Sequence, residues 1–581
     1  MKKCTVVFII FILLLGCSLL FGCSACSNQN QTMVKNDNDL ELSYEKIQLI
    51  NHTAEYDLEY DYISTYFYPN GNVPLIDINS FVASLNGYID TEKIRYTVNE
   101  NDNYLTQKWI SNNYTYQLKV YWDTNQIWVN NFGYFNITKS IKGTNYSAHN
   151  KWIDVTSSNE KSITFNIGSY YFDILYYNQK VLVPLPILNI LFCSTNQTNV
   201  LYDGEEYHFY YGTPSKELAL SMRESKLNNT ECPEDVRKAS INGLIFTMNY
   251  FYGLNEYKGI DFDFKNYMSE KQLADLWSSD YMVYNHAYIE IIQQGLDELH
   301  TNLIYPSIYN KLEDNCDIYN EENIGSNWKG YYDSLDELNS NYQNTFEDRH
   351  PVRFKGRTAF IKFDSFNVAP NNILYNESGI LKNDAWRYDT FYFMLNAMNL
   401  IKQQHNIQSI VIDLTTNGGG TLGAMYSALG FLTNKNIKLP SYNTLTNEFR
   451  LDYYAIDSDD DGNYNDEDAY TQYNWYILTS KNTFSAANYF VSVAKNMNIA
   501  TIIGEPTGGG MCSVMPCVLA DGTTFRISSN NSLRYHYYND KTNKNIYQEI
   551  ESGISPDYKI DREKFYDLSY LDEFISFIET T

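Results

Sequence analysis

Alternating apolar and polar residues predict short strands in the first third of the chain. The alternating runs are TYQLKVYW, QIWVNNF, SITFNIG and YYFDILYY, and each is bounded by Asn, Asp or Gly. Period-two alternation is typical of strands with one buried face, and the bounding residues favour turns. A phrase also recurs, as VPLIDINSFVASL from Val73 and as VPLPILNILFCS from Val183. We therefore predict a β-rich domain over residues 45–212, preceded by a polar tether over residues 23–44.

In the middle of the chain the apolar spacing changes to three and four residues. The stretch ADLWSSDYMVYNHAYIEIIQQGLDEL has this helical period and ends at Leu299. The residues that follow, TNLIYP, have the character of a strand, and the polar stretch from Glu313 to His350 predicts a loop. We interpret residues 213–350 as a helical segment that joins two larger units.

Strands and helices alternate in the last part, residues 351–581. The runs RTAFIKFDSF, QSIVIDL, NWYILTS and NIATIIGEP predict strands, and helices are predicted from near Thr421 and from Ser485 to Lys495. This order favours parallel βαβ units and an α/β fold. In such sheets a site forms where the carboxyl ends of strands meet the first residues of helices. The turn Gly418-Gly419-Gly420 and Ser485 both fall at such positions.

Composition and charge exclude one class of partner and indicate a folded chain. The chain has 581 residues, with 43 Lys and Arg against 70 Asp and Glu, so its formal net charge is -27. That charge repels phosphate backbones, and we therefore expect no nucleic-acid partner. Apolar residues make up 44% of the chain, which is enough for packed cores. A chain of this length is expected to form two or three domains.

The first residues, MKKCTVVFIIFILLLGCSLLFGCSACS, combine a basic start with an apolar run. This pattern is typical of a secretory signal peptide, which we place at residues 1–22. An uncleaved membrane anchor is the alternative, because the apolar run approaches the ~20 residues that span a bilayer. The stretch Leu20-Phe21-Gly22-Cys23 resembles a bacterial lipobox, which implies lipidation of Cys23, with Cys17 as a second candidate. We expect the body of the protein on the extracytoplasmic face of the cell envelope, anchored to the membrane by lipid.

Ser485 follows a predicted strand and opens a predicted helix. The amide of Ala486 is then one of the unpaired N–H groups of a helix start, and it could hold a developing oxyanion. A second donor could come from Gly419, with Gly418 as its neighbour, because glycine lets the backbone come close. Taken alone, Ser485 could equally be a helix cap, and the glycines could be a tight turn or a phosphate loop. The lysine of a GxxxxGK[ST] phosphate loop is missing, which argues against the last reading.

Three phrases in this part together resemble a known family. IVIDLTTNGGG, TFSAANYF and IIGEPTGGG are similar, in order and spacing, to the C-terminal processing peptidases, also called tail-specific proteases. The resemblance implies a crotonase-like βαβ core and a serine peptidase that needs no cofactor for its chemistry. It also implies that Ser485 is the nucleophile and that Gly419 and Ala486 supply the oxyanion amides. The β-rich part resembles the copper amine oxidase N-terminal-like domain, through its paired VPL phrases and the closing Tyr202-Asp203-Gly204.

The general base departs from the processing branch of that family, which places a lysine just after a Pro-Thr turn. Here the turn continues with glycines and Met511, and no lysine is present. The sequence is instead similar to the branch of the tricorn core and the retinoid-binding-protein-like peptidases, whose histidine lies in a D-x-H-T phrase. Asp297-Glu298-Leu299-His300-Thr301 resembles that phrase, which makes His300 the expected base. His286 and His536 are the competing histidines, and Lys481 and Lys495 lie near Ser485 only in sequence.

A third group is expected to orient the imidazole and stabilise its charged form. The same branch places a glutamate just before a G-V-x-P-D phrase, and the residues from Glu549 to Asp557 resemble that stretch. We assign the role to Glu551, with Glu549 as the alternative. Both glutamates could instead be solvated charges in a loop.

The insertion from Asp457 to Asp468 has the ligand spacing of a calcium loop. Its oxygen-bearing residues at positions 1, 3, 5, 9 and 12 are Asp457, Asp459, Asp461, Asn465 and Asp468. With glycine at position 6, this spacing follows the EF-hand pattern, except that Asp468 replaces the usual Glu. The pattern predicts a structural calcium ion. The flanking residues have the character of strands rather than helices, so a solvated acidic hairpin is the alternative.

The sequence thus predicts a secreted, lipid-anchored serine endopeptidase that hydrolyses peptide bonds through a Ser-His-Glu acyl-enzyme mechanism. Its expected partners are a peptide or protein substrate and, through the lipid, the membrane. A non-catalytic surface lipoprotein that binds peptides or envelope polymers is the alternative function. The imperfect match of the phrases around His300 and Glu551 motivates this alternative.

Overall fold

The computed structural model describes residues 41–158, 161–261, 263–310, 322–348, 350–464, 468–539 and 541–580. The predicted signal peptide, most of the predicted tether and Cys23 lie outside these residues. In the part of the chain that is described, no helix combines the length and the apolar character needed to cross a membrane.

The structure has both strands and helices along the described parts of the chain. The strands are β1 (Ser43–Asn51), β2 (Tyr62–Phe67), β3 (Leu75–Asp77), β4 (Arg95–Asn99), β5 (Tyr104–Ser111), β6 (Tyr114–Tyr121), β7 (Gln126–Val129), β8 (Asn150–Ser157), β9 (Ile163–Asn166), β10 (Leu175–Tyr177), β11 (Lys180–Pro184), β12 (Thr198–Tyr202), β13 (Tyr207–Tyr211), β14 (Asn302–Tyr305), β15 (Val352–Lys355), β16 (Thr358–Lys362), β17 (Ser409–Asp413), β18 (Ile437–Asn443), β19 (Glu448–Ile456), β20 (Asn474–Thr479), β21 (Thr501–Gly504), β22 (Cys512–Val518), β23 (Thr524–Asn539), β24 (Lys544–Glu549) and β25 (Tyr558–Lys559). The α-helices are α1 (Ile78–Ser84), α2 (Leu185–Phe192), α3 (Lys216–Ser221), α4 (Glu234–Phe251), α5 (Glu270–Leu276), α6 (Tyr281–Tyr288), α7 (Ser326–Thr345), α8 (Asn371–Leu374), α9 (Thr390–Lys402), α10 (Leu422–Gly430), α11 (Ala486–Met497) and α12 (Leu568–Thr580).

Two sheets build the N-terminal part, which confirms the prediction that this region is β-rich. One has seven strands in the order β10-β11-β3-β2-β1-β13-β12, and the other has five in the order β4-β5-β6-β7-β9. The two VPL phrases meet in the first of these sheets, where Val183 of β11 pairs with Ile76 of β3. Each phrase continues directly into a helix, α1 or α2. The sequence repeat is therefore a repeated strand–helix unit whose two copies lie side by side.

The last part of the chain has the predicted α/β fold around a six-stranded sheet in the order β15-β16-β17-β20-β21-β25. All neighbouring strands from β16 to β25 run parallel, as the alternation of strands and helices requires. Strand β17 is buried along its whole length, which explains the apolar run of its three central residues. The carboxyl ends of β17 and β20 lead into the glycine turn and into Ser485, so one edge of this sheet carries both features.

A second sheet of this part draws strands from the rest of the chain. Its main path is β14-β23-β18-β19-β8, and β22 and β24 both pair with β23. Strand β8 lies within the predicted N-terminal domain, yet it pairs antiparallel with β19, for example Trp152 with Tyr454. Asn150 Nδ2 also donates to the carbonyl of Gly423 in α10 at 3.0 Å. The predicted domain boundaries stay predictions, and this sheet crosses both of them.

The loop predicted over residues 313–350 is wrong for most of its length, because helix α7 occupies its centre. Only three side chains of this 20-residue helix are buried, those of Trp328, Ser334 and Leu338, so the apolar stripe is too narrow to stand out from the polar sequence. Its first turn is capped from a distant position, since the Asp297 carboxylate accepts the backbone N–H of Asn327 at 2.9 Å. A cap supplied from elsewhere in the chain leaves no local start signal.

Candidate active site

Ser485 lies in a strained turn between β20 and α11. Its φ is 58° and its ψ -123°, a positive-φ conformation that a residue with a side chain adopts only when its surroundings enforce it. The backbone N–H of Ser485 donates to the carbonyl of Gly509 at 2.8 Å, which holds the turn in place. The side chain is partly exposed and makes no capping hydrogen bond to α11. The structure therefore does not support a helix-capping role for this hydroxyl.

The glycine turn touches the serine turn directly. Gly419 has a φ of 105°, and a Cβ at this position would lie 2.8 Å from Ser485 Cβ and 2.9 Å from the Ala486 nitrogen. Asn417 connects the two turns, because its carbonyl accepts the Phe484 N–H at 3.0 Å and its side-chain Oδ1 accepts the Gly419 N–H at 2.9 Å. The two predicted oxyanion amides thus lie on adjoining backbone segments, and in this conformation Asn417 engages one of them.

His300 reaches this turn from the end of the helical segment. Its ring centroid lies 4.8 Å from that of Phe484, the residue before the nucleophile candidate. The imidazole is buried, and burial lowers its pKa below the usual value. The Glu298 carboxylate opposes that shift, whereas the Arg526 charge adds to it. No hydrogen bond joins Ser485 Oγ to the ring, and among the described residues His300 Nδ1 is buried without a partner. Burial therefore favours the neutral imidazole, which lies beside the serine turn without a formed serine–histidine hydrogen bond.

The competing bases are engaged elsewhere. His286 is exposed and lies 3.3 Å from Glu290 in its own helical segment. His536 is on the β23–β24 hairpin, where its Nε2 contacts a side-chain oxygen of the hairpin at 3.1 Å. Lys495 forms an ion pair with Asp557 at 2.8 Å. Among these candidates, none is brought to the serine turn as His300 is.

The two glutamates left open by the sequence have different environments. Glu549 forms an ion pair with Arg534 at 3.0 Å, and its side chain is 44% exposed. Glu551 is half-buried and accepts the backbone N–H of Met511 at 2.8 Å. Burial, followed by the nearby charge of Glu298, raises the pKa of Glu551 to about 8. Glu551 is thus the less exposed of the two, and its assignment as the orienting group stays a prediction.

Glu298 is the carboxylate that lies beside the imidazole, although no role is predicted for it from the sequence. Its Oε1 is 4.0 Å from His300 Nδ1 and also accepts the His300 backbone N–H at 2.7 Å. Its Oε2 accepts the hydroxyls of Thr301 at 2.6 Å and of Ser528 at 2.9 Å. The available signal was its position two residues before His300, which is where the D-x-H-T phrase has its acid.

Comparison with protein families decides the nature of this part of the chain. Residues 358–560 match the sequence model of peptidase family S41. These residues form an S41 peptidase domain. The predicted resemblance to the C-terminal processing peptidases is thereby confirmed at the level of this family. The match contains Ser485, Gly419 and Glu551, whereas His300 and Glu298 lie outside it.

Several solved structures are similar to the chain, at low identity. A suspected peptidase from Parabacteroides merdae is 17% identical, with 56% of this chain and 90% of that chain covered and a TM-score of 0.36. A lipoprotein from Streptococcus agalactiae is 13% identical, with coverages of 59% and 98% and a TM-score of 0.34. The photosystem II D1 C-terminal processing protease is 18% identical, with 37% of this chain and only 50% of that chain covered and a TM-score of 0.25. No curated protein matches the chain. At these identities and TM-scores the similarities carry no functional argument.

Helix α7 contacts two parts of the site. One is the turn that bears His300, outside the S41 domain, and the other is the turn that bears Ser485, within it. Trp328 Nε1 donates to the carbonyl of Glu298 at 3.2 Å, and the Tyr331 carbonyl accepts Asn482 Nδ2 at 2.8 Å. The Tyr331 hydroxyl lies over the glycine turn, where a Cβ on Gly418 would approach it to 2.8 Å. Helix α7 thus fixes the histidine-bearing turn relative to the serine-bearing turn.

The acidic loop of the S41 domain gathers four of its five predicted calcium ligands. They are Asp457, Asp459, Asp461 and Asp468, and one oxygen of each lies within 4.8 Å of the others. Asp457 also accepts three backbone N–H groups of the loop, at 2.9 to 3.2 Å. Asn465, the fifth predicted ligand, lies outside the described residues. The loop follows strand β19 rather than a helix, as its flanking sequence indicated. A set of carboxylate oxygens this close together has the donor chemistry that calcium prefers.

Proposed function

We propose that the protein is a serine endopeptidase in which His300 is the general base, as in the histidine-using branch of its family. The proposal rests on one observation, namely that the segments bearing Ser485, Gly419 and His300 come together in the structure. The strained Ser485 turn touches Gly419 on one side, and the ring of His300 packs against Phe484 next to it. A partly exposed hydroxyl, two backbone amides and a neutral imidazole are the groups that acyl transfer requires.

The geometry supports a two-step reaction at a peptide carbonyl. In the first step Ser485 Oγ attacks the carbonyl carbon while His300 accepts the hydroxyl proton. The negative charge that develops on the carbonyl oxygen is held by the N–H groups of Ala486 and Gly419. His300 then gives the proton to the leaving amine, the C–N bond breaks, and an ester to Ser485 remains. In the second step His300 deprotonates water, which attacks the ester and releases the second product.

Burial of His300 has a consequence for the pH dependence of this reaction. Only the neutral imidazole can accept the serine proton, and burial lowers the pKa below which the ring becomes charged. Activity should therefore rise with pH through a value below the ordinary ~6.5 of histidine and stay level at neutral pH.

A fluorophosphonate probe tests the proposal directly, because it reacts only with an activated serine. We expect labelling at Ser485, located by peptide mass analysis, with a rate that increases with pH through an apparent pKa below ~6.5. The Ser485→Ala variant should not be labelled. Absence of labelling in the folded wild-type protein, together with measurable binding of unmodified peptides, would instead support the non-catalytic alternative. That alternative is favoured by two observations, the missing Ser485–His300 hydrogen bond and the contact of Asn417 with the Gly419 amide.

We also propose that the acidic loop binds a structural calcium ion through Asp457, Asp459, Asp461, Asn465 and Asp468. The gathered carboxylates repel one another, and burial with the charges of Asp457 and Asp459 raises the pKa of Asp460 to about 6. A cation would relieve this repulsion and stabilise the fold.

The expected result is a higher melting temperature in millimolar calcium than in chelator. At free calcium ~100-fold above the dissociation constant, the free energy of unfolding should increase by ~2.7 kcal/mol. The Asp461→Ala variant should lose the shift, whereas Asp123→Ala, which removes an exposed acid outside the loop, should keep it. An unchanged melting temperature in the wild-type protein would refute the calcium site.

The place of the protein in the cell rests on its first residues. We propose that it is exported and held at the extracytoplasmic face of the membrane by a lipid on Cys23. The support is the basic and apolar start followed by the Leu-Phe-Gly-Cys phrase. An unmodified Cys23 in the intact mass of membrane-extracted protein would remove the anchor.

A further inference from the structure

The five-stranded sheet of the N-terminal part has one buried face and one outward face. Residues directly opposite each other on paired strands point to the same side of a sheet. Leu105, Val120, Ile127 and Phe165 are paired in one row across β5, β6, β7 and β9, and all four are completely buried. The alternate positions of these strands therefore point away from the core. We call the side that they form the outer face.

The outer face carries cations and aromatic rings but no acid. Its cations are Arg95, Lys108 and Lys119, and its rings are Tyr104, Tyr121 and Trp128. All six side chains are exposed or half-buried, and the other paired outward positions hold hydroxyl or amide residues and one isoleucine. In a chain with a net charge of -27, a face without acids is a local exception. It attracts negative charge, whereas the overall charge of the protein repels it.

Lys119 occupies the centre of the outer face. It is paired with Thr106 on one side and with Trp128 on the other. Its Nζ lies 4.5 Å from the ring centroid of Tyr104 and 5.8 Å from that of Trp128. The ring centroids of Tyr104 and Tyr121 are 5.4 Å apart. The ammonium group is thus held by ring faces rather than by a carboxylate, and its charge remains available to a ligand.

The acids nearest to this face in sequence lie in turns at one end of the sheet. Glu100 and Asp102 belong to the turn between β4 and β5, and Asp123 belongs to the turn between β6 and β7. Arg95 and Lys108 are paired with each other at the opposite end, away from these turns. The positive charge is therefore concentrated in the centre and at one end, in rows that cross the strands.

Rings combined with a few cations suit a glycan strand. The C–H faces of sugar rings pack on aromatic side chains, and ammonium and guanidinium groups bind carboxylates through charge-assisted hydrogen bonds. Neighbouring strands lie about 4.8 Å apart, close to the advance per sugar of an extended glycan, so successive sugars can lie over successive strands. Single-stranded nucleic acid also binds rings and cations. Its charge on every unit is disfavoured by the net charge of -27 more than a charge on only some units.

We propose that the outer face binds a linear glycan that carries carboxylate groups on some of its sugars and that crosses the strands over Lys119 and Trp128. The face contains none of the residues proposed for catalysis. Failure of peptide hydrolysis would therefore leave this binding site untouched, and loss of glycan binding would leave the peptidase proposal untouched. A protein with both would be held on a glycan close to the polypeptides that it cleaves.

The first experiment measures binding of the purified protein to a hyaluronan oligosaccharide by calorimetry. In this probe a carboxylate-bearing sugar alternates with a neutral N-acetylated sugar. We expect binding that weakens as the salt concentration increases, because exposed charges are screened. A neutral chitin oligosaccharide of the same length should bind about tenfold more weakly or less. Equal binding of the two oligosaccharides, or no binding of either, would overturn the proposal.

The second experiment locates the site with matched variants. Lys119→Gln and Trp128→Ala should each weaken hyaluronan binding by about tenfold or more, since one removes the central cation and the other a ring beside it. Lys46→Gln is the control for the first, because Lys46 Nζ makes the same kind of contact, 4.4 Å from the Tyr62 ring centroid, on another sheet. Trp277→Ala, which removes an exposed tryptophan elsewhere, is the control for the second. Both controls should stay within about twofold of wild type.

Melting temperatures show whether the variants are folded. If Trp128→Ala is destabilised, Lys119→Gln decides, because it changes an amine to an amide at a half-exposed position. Losses in the controls that equal those in the two outer-face variants would contradict the assignment. Tighter binding of single-stranded DNA that depends on Lys119 would assign the face to nucleic acid. A dimer that Lys119→Gln dissociates would assign it to a second copy of the chain, and either result would overturn the glycan proposal.

Discussion

Replacement of Ser485 or His300 by alanine is expected to lower kcat/KM on a peptide substrate by about 10³-fold or more. The reason is that the serine hydroxyl is not nucleophilic at neutral pH unless a base removes its proton. The Ser485→Ala/His300→Ala double variant should be no slower than either single variant, because two groups that act as one unit lose their contribution only once. Steady-state kinetics on one fluorogenic peptide measures all three proteins.

The lysine variants complete this experiment. Lys481→Ala and Lys495→Ala should keep near wild-type turnover, since Lys481 is exposed and Lys495 is paired with Asp557. An unaltered melting temperature would show that the catalytic variants are folded. A His300→Ala protein with near-normal turnover, alongside a lysine variant that loses it, would contradict the histidine mechanism and place the protein in the Ser–Lys branch.

Gly419→Ala is expected to lower kcat by about 100-fold or more, without a comparable change in the binding of peptides. The added Cβ would lie 2.8 Å from Ser485 Cβ and 2.9 Å from the Ala486 nitrogen, so the oxyanion amides and the nucleophile must move apart. The positive φ of 105° adds backbone strain at the same residue. Turnover, peptide affinity and melting temperature should be measured together.

The control for this variant is Gly259→Ala. Gly259 also has a positive φ, 65°, but a Cβ there would meet nothing within 4 Å. The control therefore carries the backbone strain without the clash, and it should reduce stability with little effect on kcat. If Gly419→Ala and its control behave alike in kcat, Gly419 does not form part of the oxyanion site.

The sheet that carries the site could be predicted from sequence because its signals are local. The run SIVID is buried along its whole length and the strands alternate with helices, so β17, β20, β21 and helix α11 follow from apolar pattern alone. The serine and glycine turns were placed correctly for the same reason, since they mark the ends of those strands. The contact between the two turns follows from the parallel order of the strands.

The features that were missed depend on contacts between distant parts of the chain. Helix α7 takes its cap from Asp297 and buries only three side chains, so neither a start signal nor a wide apolar stripe is visible in sequence. Glu298, which lies beside His300, accepts a hydrogen bond from Ser528, a residue 230 positions later. The pairing of β8 with β19 likewise has no counterpart in the local pattern. Sequence periodicity reports which face of an element is buried, but not which element covers it.

The insertion of β8 into the sheet of the S41 domain has a consequence for the order in which the protein folds. Trp152 Nε1 donates to Asp452 Oδ1, a partner 300 positions later. Strand β8 therefore cannot pair until most of the chain has been synthesised. During synthesis from the N-terminus, we therefore expect β8 to remain an unpaired strand after the rest of its region has folded. Trp152 and Ile153 of this strand are exposed even in the finished protein. Contacts between residues this far apart in sequence form slowly, and until they form an unpaired strand edge can hydrogen-bond with another chain. We expect the nascent protein to depend on a holding chaperone until β19 arrives, and the N-terminal region produced alone to aggregate through β8.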